Sequence, residues 1–530
     1  MKLGPNTLGW VIAIVTLGVI AGLFVSKKGL FNDLAEKPSD TVTEMETDSR
    51  DFFLPNGSAA AALPELIYPE GTFSGELQIQ FSTLRDYRAY IEALKAENLA
   101  PLGQIDEILA LRISEEVLLK LNPDKYGGRR NFSHRVEQPK PPERVAPTQI
   151  ADLKPYGVSA RNIVQGLPQG DGSGILVGIL DSGMVAHPQF DDAYVVHINL
   201  VGGRVAGAGA AHGTSVASII SGKEGIVPQA ELFGLRVLDD EGQGNSFHVA
   251  EGIIQAVDLG VKIINMSLGL YEDSPIVRRA VRYASDRGVL MVAAAGNDGY
   301  GQLPYPAAYD EVLSVTALDA AGRQAGFPNQ SDQIDFAAPG VGVETAWMNE
   351  GVTLFSGTSA AAPFVTGTLA SLMSGESAME PARAVELLQR YLNDSGAPGR
   401  DPVYGAGAID WQRLRERETA GILDIALAGI YLDPKAQPGT RMPISVTVQN
   451  RGTRWTNRAE LDVMVNGGEP VNFTIGTLGP GQTSTRKVFA LIPSINTEDS
   501  LKIAARVQPE DLKEDLRLDN NFEAVQFRPR

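Results

Sequence analysis

Ile175-Leu176-Val177-Gly178-Ile179-Leu180-Asp181-Ser182-Gly183 begins as an apolar run and ends on a carboxylate and a glycine turn. Apolar and polar residues do not alternate in it, which is how a strand buried on both faces of a parallel sheet reads. Three later runs, Leu232 to Leu238, Lys262 to Met266 and Val289 to Ala294, are also short and mostly apolar. Segments of helical length separate them, notably Phe247 to Leu259 and Ser274 to Arg287. This alternation predicts an α/β, doubly wound parallel sheet with helices on both faces, over residues 151–415. Ligands of such sheets bind beyond the carboxyl ends of the strands, so Asp181 stands where a partner would meet it.

The pattern changes on either side. Residues 71–138 read as a small α+β domain. Glu76 to Phe81 alternates as a half-buried strand, and Ser82 can cap a helix with the face Leu84, Tyr87, Ile91 and Leu94. Ile108 to Ile113 alternates again through Leu109, and Ser114 can cap a second helix carrying Val117, Leu118 and Leu121. Further strands are expected near Leu102 and Val136. Pro139, Pro141, Pro142 and Pro147 mark residues 139–150 as an extended, exposed linker. From residue 421 to 530 the spacing becomes all-β: Ile444, Val446 and Val448 alternate, Leu461 to Val465 is a strand, and Asn466-Gly467 is a hairpin turn. Val471 to Ile475 and Lys487 to Leu491 continue it, which predicts a β-sandwich.

At the N-terminus, Leu8 to Val25 is an uncharged apolar run flanked by lysines. Residues 1–28 are expected to form a membrane anchor, since no small-x-small cleavage site precedes Ser26; a signal peptide with a poor site is the alternative. Residues 29–70 read as a flexible polar tether. Of 530 residues, 43% are hydrophobic and 21% charged, an ordinary globular composition for a chain of several domains. The net charge of −18 argues against a nucleic-acid partner, which needs a basic face. The chain has no cysteine, which excludes thiol catalysis, disulfides and Cys-ligated zinc. Any imidazole base must be one of five histidines, at 134, 187, 197, 212 and 248.

Four short sequences carry chemistry. The first is the strand ending in Asp181. The second, His212-Gly213-Thr214-Ser215, puts a histidine at the start of a small-residue helix, facing the crevice and able to shuttle a proton. The third, Phe355-Ser356-Gly357-Thr358-Ser359-Ala360-Ala361-Ala362-Pro363, presents Ser359 at the start of an apolar helix. The free N–H groups and dipole there favour an oxyanion, although a serine in that place is ordinarily only a cap. In the fourth, Ala293-Ala294-Ala295-Gly296-Asn297, a strand ends in an amide able to donate to an oxyanion. Singly, each is explained as well by a turn or a helix cap.

Together, in the order Asp, His, Asn, Ser, they resemble the subtilisin-like (subtilase) serine peptidases. The resemblance covers residues 151–415. It implies a serine endopeptidase working through an acyl-enzyme, with Asp181 orienting the imidazole, His212 as general base and then acid, and Ser359 as nucleophile. Asn297 and the backbone N–H of Ser359 would form the oxyanion hole. Asn265-Met266-Ser267-Leu268-Gly269 is similar to the family's substrate-pairing edge strand, and the stretch with Gly242 and Gly244 to the facing one. The expected substrate-binding residues are thus Gly242, Gly244, Ser267, Leu268 and Gly269, with Ala294, Ala295 and Gly296 walling the pocket before the scissile bond. Residues 71–138, including Ala110-Leu111-Arg112-Ile113-Ser114-Glu115-Glu116, resemble the family's inhibitory propeptides. The segment ending Leu518-Asp519-Asn520-Asn521-Phe522 resembles bacterial CARDB modules.

The resemblance implies a zymogen whose partners are a protein or peptide substrate and its own prodomain; the N-terminal segment adds a membrane, with an extracytoplasmic catalytic body that processing could release. No cofactor is needed for the chemistry. The connection from Gly222 to Pro228 is short and Gln189 replaces a common calcium-ligating Asp, so a structural calcium is not supported. The histidine motif also ends in Ser215 where relatives carry a second histidine. A catalytically silent binding protein is the first competing reading, opposed by the intact set of four residues. A lipase-type hydrolase is the second, opposed by the lack of a Gly-x-Ser-x-Gly elbow around Ser359.

Overall fold

The computed structural model describes residues 66–142, 153–203, 205, 208–433, 435–493, 500–510 and 515–527. The apolar run Leu8 to Val25, most of the tether, and residues 143–150 of the linker lie outside them. Among the described residues no helix is long and apolar enough to cross a membrane.

The N-terminal unit is built from β1 (Thr72–Phe81), α1 (Leu84–Ala96), β2 (Gly103–Ile105), β3 (Ala110–Ser114), α2 (Glu115–Lys120) and β4 (Gly128–Glu137). Leu77, Ile79 and Phe81 alternate inward along β1, against Leu111 and Ile113 of β3 and Tyr87, Tyr90 and Leu94 of α1. The cap of α1 is Thr83 and not Ser82, with its side chain accepting from the Asp86 N–H. Leu84 is exposed, and Tyr90 takes the inward place instead. The expected alternation through Leu109 also fails. Leu109 sits at φ +53° after a short 3-10 turn, so β3 begins one residue later. Ser114 caps α2 as expected, accepting from the Val117 N–H at 3.3 Å.

The central body is a seven-stranded sheet of β5 (Leu176–Asp181), β6 (Val195–Asn199), β7 (Glu231–Arg236), β9 (Ile263–Met266), β10 (Leu290–Ala294), β11 (Leu313–Leu318) and β12 (Phe336–Pro339). Its order is β12-β11-β10-β9-β5-β7-β6, and every pairing is parallel. Helices α3 (Ala211–Ile220) and α6 (Thr358–Leu372) contribute to one apolar cluster, and α4 (Ser246–Asp258) and α5 (Pro275–Ser285) to another. Every residue of α3 and α6 is buried, which explains why both read as apolar all round and carry no helical stripe. The short β8 (Gln243–Asn245) leaves this sheet and joins the N-terminal one, whose order is β2-β3-β1-β4-β8. A hairpin of β13 (Val343–Ala346) and β14 (Val352–Phe355) leads into α6.

The C-terminal region is all-β. Strands β15 (Ile425–Leu432), β16 (Arg441–Asn450) and β19 (Thr483–Leu491) form one antiparallel sheet. Strands β17 (Ala459–Val465), β18 (Val471–Ile475), β20 (Leu501–Pro509) and β21 (Phe522–Phe527) form the other. Ile444, Val446 and Val448 meet Leu461, Val463 and Val507 between the sheets. Asn466 and Gly467 both take positive φ, +51° and +71°, as a type I′ hairpin turn demands.

Candidate active site

Asp181 closes β5, a central strand flanked by β7 and β9, so its carboxylate emerges at the carboxyl edge of the sheet. Ser182 donates to Asp181 Oδ1 through its backbone N–H (2.7 Å) and hydroxyl (3.1 Å). The same oxygen pairs with His212 Nδ1 at 2.8 Å. Asp181 and His212 are 1% and 5% exposed, so this pairing is shielded from water and strengthened by it. His212 is the second residue of α3 and its ring meets Phe355 edge-on at 5.4 Å. The approach of α3 to β5 depends on Gly213: a Cβ there would lie 2.1 Å from the Gly183 carbonyl oxygen. Among the described residues, His212 is the histidine whose ring pairs with a carboxylate.

Ser359 is the second residue of α6, preceded by Gly357 at φ +133°, a conformation open to glycine alone. Pro363, four residues on, has no N–H for the Ser359 carbonyl. Ser267 Oγ donates to that carbonyl instead, at 3.4 Å. Asn297 follows β10 with its amide held in one orientation: Oδ1 accepts from the Thr358 N–H (3.0 Å) and hydroxyl (2.9 Å). Nδ2 is thereby aimed outward, and it donates to the carbonyl of Lys140 at 2.9 Å. Ser359 and Asn297 are each 2% exposed. Ser359 Oγ and His212 Nε2 are buried and have no hydrogen-bond partner among the described residues. They are the two atoms that a proton relay would join, and contacts of this kind commonly tighten only with a reacting substrate.

The end of the N-terminal unit runs beside Asn297. Arg135, Val136 and Glu137 pair antiparallel with Asn245, Gly244 and Gln243 of β8. On the other side, Glu137 exchanges both backbone hydrogen bonds with Gly269, at 3.0 and 2.9 Å. The Gln138 N–H donates to the Gly242 carbonyl at 2.9 Å. Residues 135–138 thus run as a middle strand between two others, and Lys140 then reaches the Asn297 amide. Of the residues expected to bind substrate, Gly242, Gly244 and Gly269 make main-chain contact with this strand. Gly296 lines the same depression, with Leu270, Tyr271, Asp298, Tyr300 and Pro304. Ala294, at the end of β10, and Ala295, Ser267 and Leu268, just beyond the ends of β10 and β9, are buried. Pro139 and Lys140, expected to be exposed linker, therefore sit at the site. Nothing in a stretch of prolines and charges announces that docking.

Four residues around the site escape sequence reasoning. Asn329, in a loop after β11, accepts from the Asp298 and Tyr300 N–H groups at 3.1 and 3.0 Å and donates to Tyr271 Oη at 2.8 Å. Tyr271 in turn donates to Asp298 at 2.6 Å. Arg279 on α5 binds the N-terminal unit, donating to the carbonyls of Phe81 and Ile108 at 2.9 and 3.0 Å. Thr358, within the quoted serine motif, has a sequence signal in its position, but its role as the clamp on Asn297 does not.

Gln189, which stands where the resemblance places a calcium-ligating Asp, is buried. Its amide nitrogen donates to the carbonyls of Ser218 and Ser221, at 3.3 and 3.5 Å. Among the described residues no cluster of three His, Cys, Asp or Glu side chains could hold a metal.

A parallel sheet with a carboxylate-paired histidine, and a serine at a helix start beside an oriented amide, defines a serine hydrolase arrangement. Residues 172–407 match the model of the subtilase family, and residues 424–525 match that of CARDB. The chain is 32% identical over 274 residues to subtilisin Savinase of Lederbergia lenta, covering 49% of this chain and 98% of that protein. It is 32% identical over 287 residues to a thermostable alkaline protease of Halalkalibacterium halodurans, covering 50% and 75%. It is 34% identical over 255 residues to the minor extracellular protease Epr of Bacillus subtilis, covering 46% of this chain and only 38% of that longer protein. Among solved structures, the protease domain of PatA (S218A mutant) is 32% identical, covering 46% of this chain and 94% of that one, with a TM-score of 0.42. The chain belongs to the subtilase family of subtilisin-like serine proteases.

Proposed function

We propose that the chain is an active serine endopeptidase, made as a zymogen whose N-terminal unit occupies its own cleft. The observation that carries this reading is the Lys140 carbonyl resting on the Asn297 amide at 2.9 Å, at the end of a strand paired on both sides. Main-chain pairing of this kind accepts an extended peptide of any sequence, as β-augmentation does. In the reaction, Ser359 Oγ attacks the carbonyl carbon while His212 Nε2 takes its proton. Asp181 holds the imidazole through Nδ1 and stabilises the imidazolium. The negative charge that develops on the carbonyl oxygen is met by Asn297 Nδ2 and the Ser359 N–H. The C–N bond then breaks, His212 returns the proton to the leaving amine, and an acyl ester on Ser359 remains. A water deprotonated by His212 hydrolyses it and frees the serine. No step calls for a cofactor.

The peptide bond beyond the held carbonyl is Lys140–Pro141. Its nitrogen carries a ring carbon where other residues have hydrogen, which crowds the leaving-group side. The segment therefore resists rapid cutting at that bond and acts first as an inhibitor. Self-cleavage between residues 140 and 150 would leave the catalytic body and β-sandwich as one fragment. With Leu8 to Val25 as an anchor, that cut would release an extracytoplasmic enzyme from a membrane. The test compares wild type with Ser359→Ala, using a serine-reactive phosphonate and N-terminal sequencing. Wild type should be labelled and yield a soluble fragment beginning near residue 140 to 150, whereas Ser359→Ala should remain unlabelled, full length and inert toward peptides. Peptide hydrolysis at the wild-type rate by purified Ser359→Ala would refute the assignment.

A further inference from the structure

Given that peptidase reading, on which this inference rests, we propose that Asp298 sets the specificity of the site for a basic residue, lysine or arginine, immediately before the scissile bond. The chain supplies its own occupant of that position. Lys140, whose carbonyl is on Asn297, has Nζ 4.0 Å from Asp298 Oδ1. Asp298 immediately follows Asn297 in sequence, so the amide that fixes the carbonyl and the carboxylate that meets the side chain are one rigid piece.

Asp298 is not a loose surface carboxylate. Its side chain is 18% exposed. Its backbone N–H is tied to Asn329 Oδ1 at 3.1 Å, and Tyr271 donates to Oδ2 at 2.6 Å, with Asn329 Nδ2 on the same phenol at 2.8 Å. A neutral donor from Tyr271 holds the carboxylate in place without cancelling its charge, and Oδ1 is left toward the incoming side chain. Charge is also complementary across the depression. Among the lining residues the central body contributes Asp298 and Glu272 and no Lys or Arg, whereas the occupying strand contributes two cations, Arg135 and Lys140, against one carboxylate, Glu137. A cationic side chain there gains attraction to a partly shielded carboxylate, and an acidic one meets repulsion. Tyr271 and Asn329 are positioning residues in this scheme.

The test uses the whole chain, incubated until its activity is steady, with peptide amides that differ only in the residue before the reporter group: lysine, arginine, leucine or glutamate. The readout is the ratio of kcat/KM between substrates. That ratio does not depend on what fraction of the molecules has an open cleft. Lysine and arginine should exceed leucine by about tenfold or more, and glutamate should be the poorest, as expected for one charge pair at a partly shielded site. Asp298→Asn should lower the lysine-to-leucine ratio by about tenfold, Asp298→Glu should retain the preference, and added salt should compress it. A leucine preference in the wild type, or a ratio unmoved by Asp298→Asn, would overturn the inference while leaving the peptidase reading intact. Absence of any cleavage together with failure of the phosphonate to label Ser359 would instead remove the peptidase reading, and this inference with it.

Discussion

Arg279→Ala should loosen the N-terminal unit from the cleft without touching a residue of the site. Arg279 lies on α5, and its Nη1 donates to the carbonyls of Phe81 and Ile108 at 2.9 and 3.0 Å. Hydrogen bonds from a charged donor contribute about 1.5–3 kcal/mol each. Burial pushes the pKa of this guanidinium below its ordinary value, so part of that gain is offset by desolvation, and the lower bound is the appropriate one. Two bonds at that bound give about 3 kcal/mol, which is roughly a 150-fold rise in the opening equilibrium. Hydrogen exchange measures it directly in a Ser359→Ala background, where the chain stays intact. The amides of Gln138, Glu137 and Gly269 are bonded only while the strand is docked, to Gly242, Gly269 and Glu137 respectively. Their protection should fall about 100-fold in Arg279→Ala, with strands β9 to β12 unaffected. Protection within threefold of the parent, in a chain with unchanged circular dichroism, would refute the reasoning and place the holding energy in the apolar contacts of Ile105, Ile108 and Val136.

Asn297→Ala should lower kcat by about 10²–10³ with little change in KM, because the amide acts mainly on the charge of the transition state; a pure KM effect in steady-state kinetics would mean that it only positions substrate. Acid should open the cleft. Burial depresses the pKa of His134 against a weaker upward pull from Glu272, and burial with Arg112 depresses that of His248 to about 4. Both belong to the strands and helix that meet at this interface. On separation they regain ordinary values near 6.5, so the open form binds more protons and docking is fully stable only above that pH. Docking should weaken as pH falls from 6.5 toward 4, by at most about 1.4 kcal/mol per pH unit per histidine, and His248→Gln should flatten the exchange-versus-pH profile. A chelator should shift the melting temperature little, since the Gln189 amide already serves the carbonyls of Ser218 and Ser221; calorimetry showing a large drop would reveal a cation site formed by other donors.

The central architecture is legible in sequence because buried parallel strands have no solvent face, so runs such as Ile175 to Leu180 stay apolar end to end. The sandwich betrays itself by period-two alternation and by Asn466-Gly467, whose backbone requirement is local. Short edge and late strands, such as β6, β12 and β21, are not legible, being brief, half-exposed or interrupted by polar residues. Leu109 looked like strand because alternation registers side chains and not the positive φ of a turn.

For the site, sequence alone determined the chemical types and their order, Asp181, His212, Asn297 and Ser359. Each stands at a strand end or a helix start, where neighbouring residues dictate the backbone. Tertiary structure alone decided which atoms meet: Nδ1 of His212 on Asp181, Thr358 turning the Asn297 amide outward, and Asn329 and Tyr271 fixing Asp298. It also decided that Pro139 and Lys140 enter the cleft, although their composition reads as linker. The reason is physical. A turn or a buried strand is specified by a few consecutive residues, whereas the docking of Lys140 on Asn297 joins groups 157 residues apart, through backbone atoms that every sequence shares.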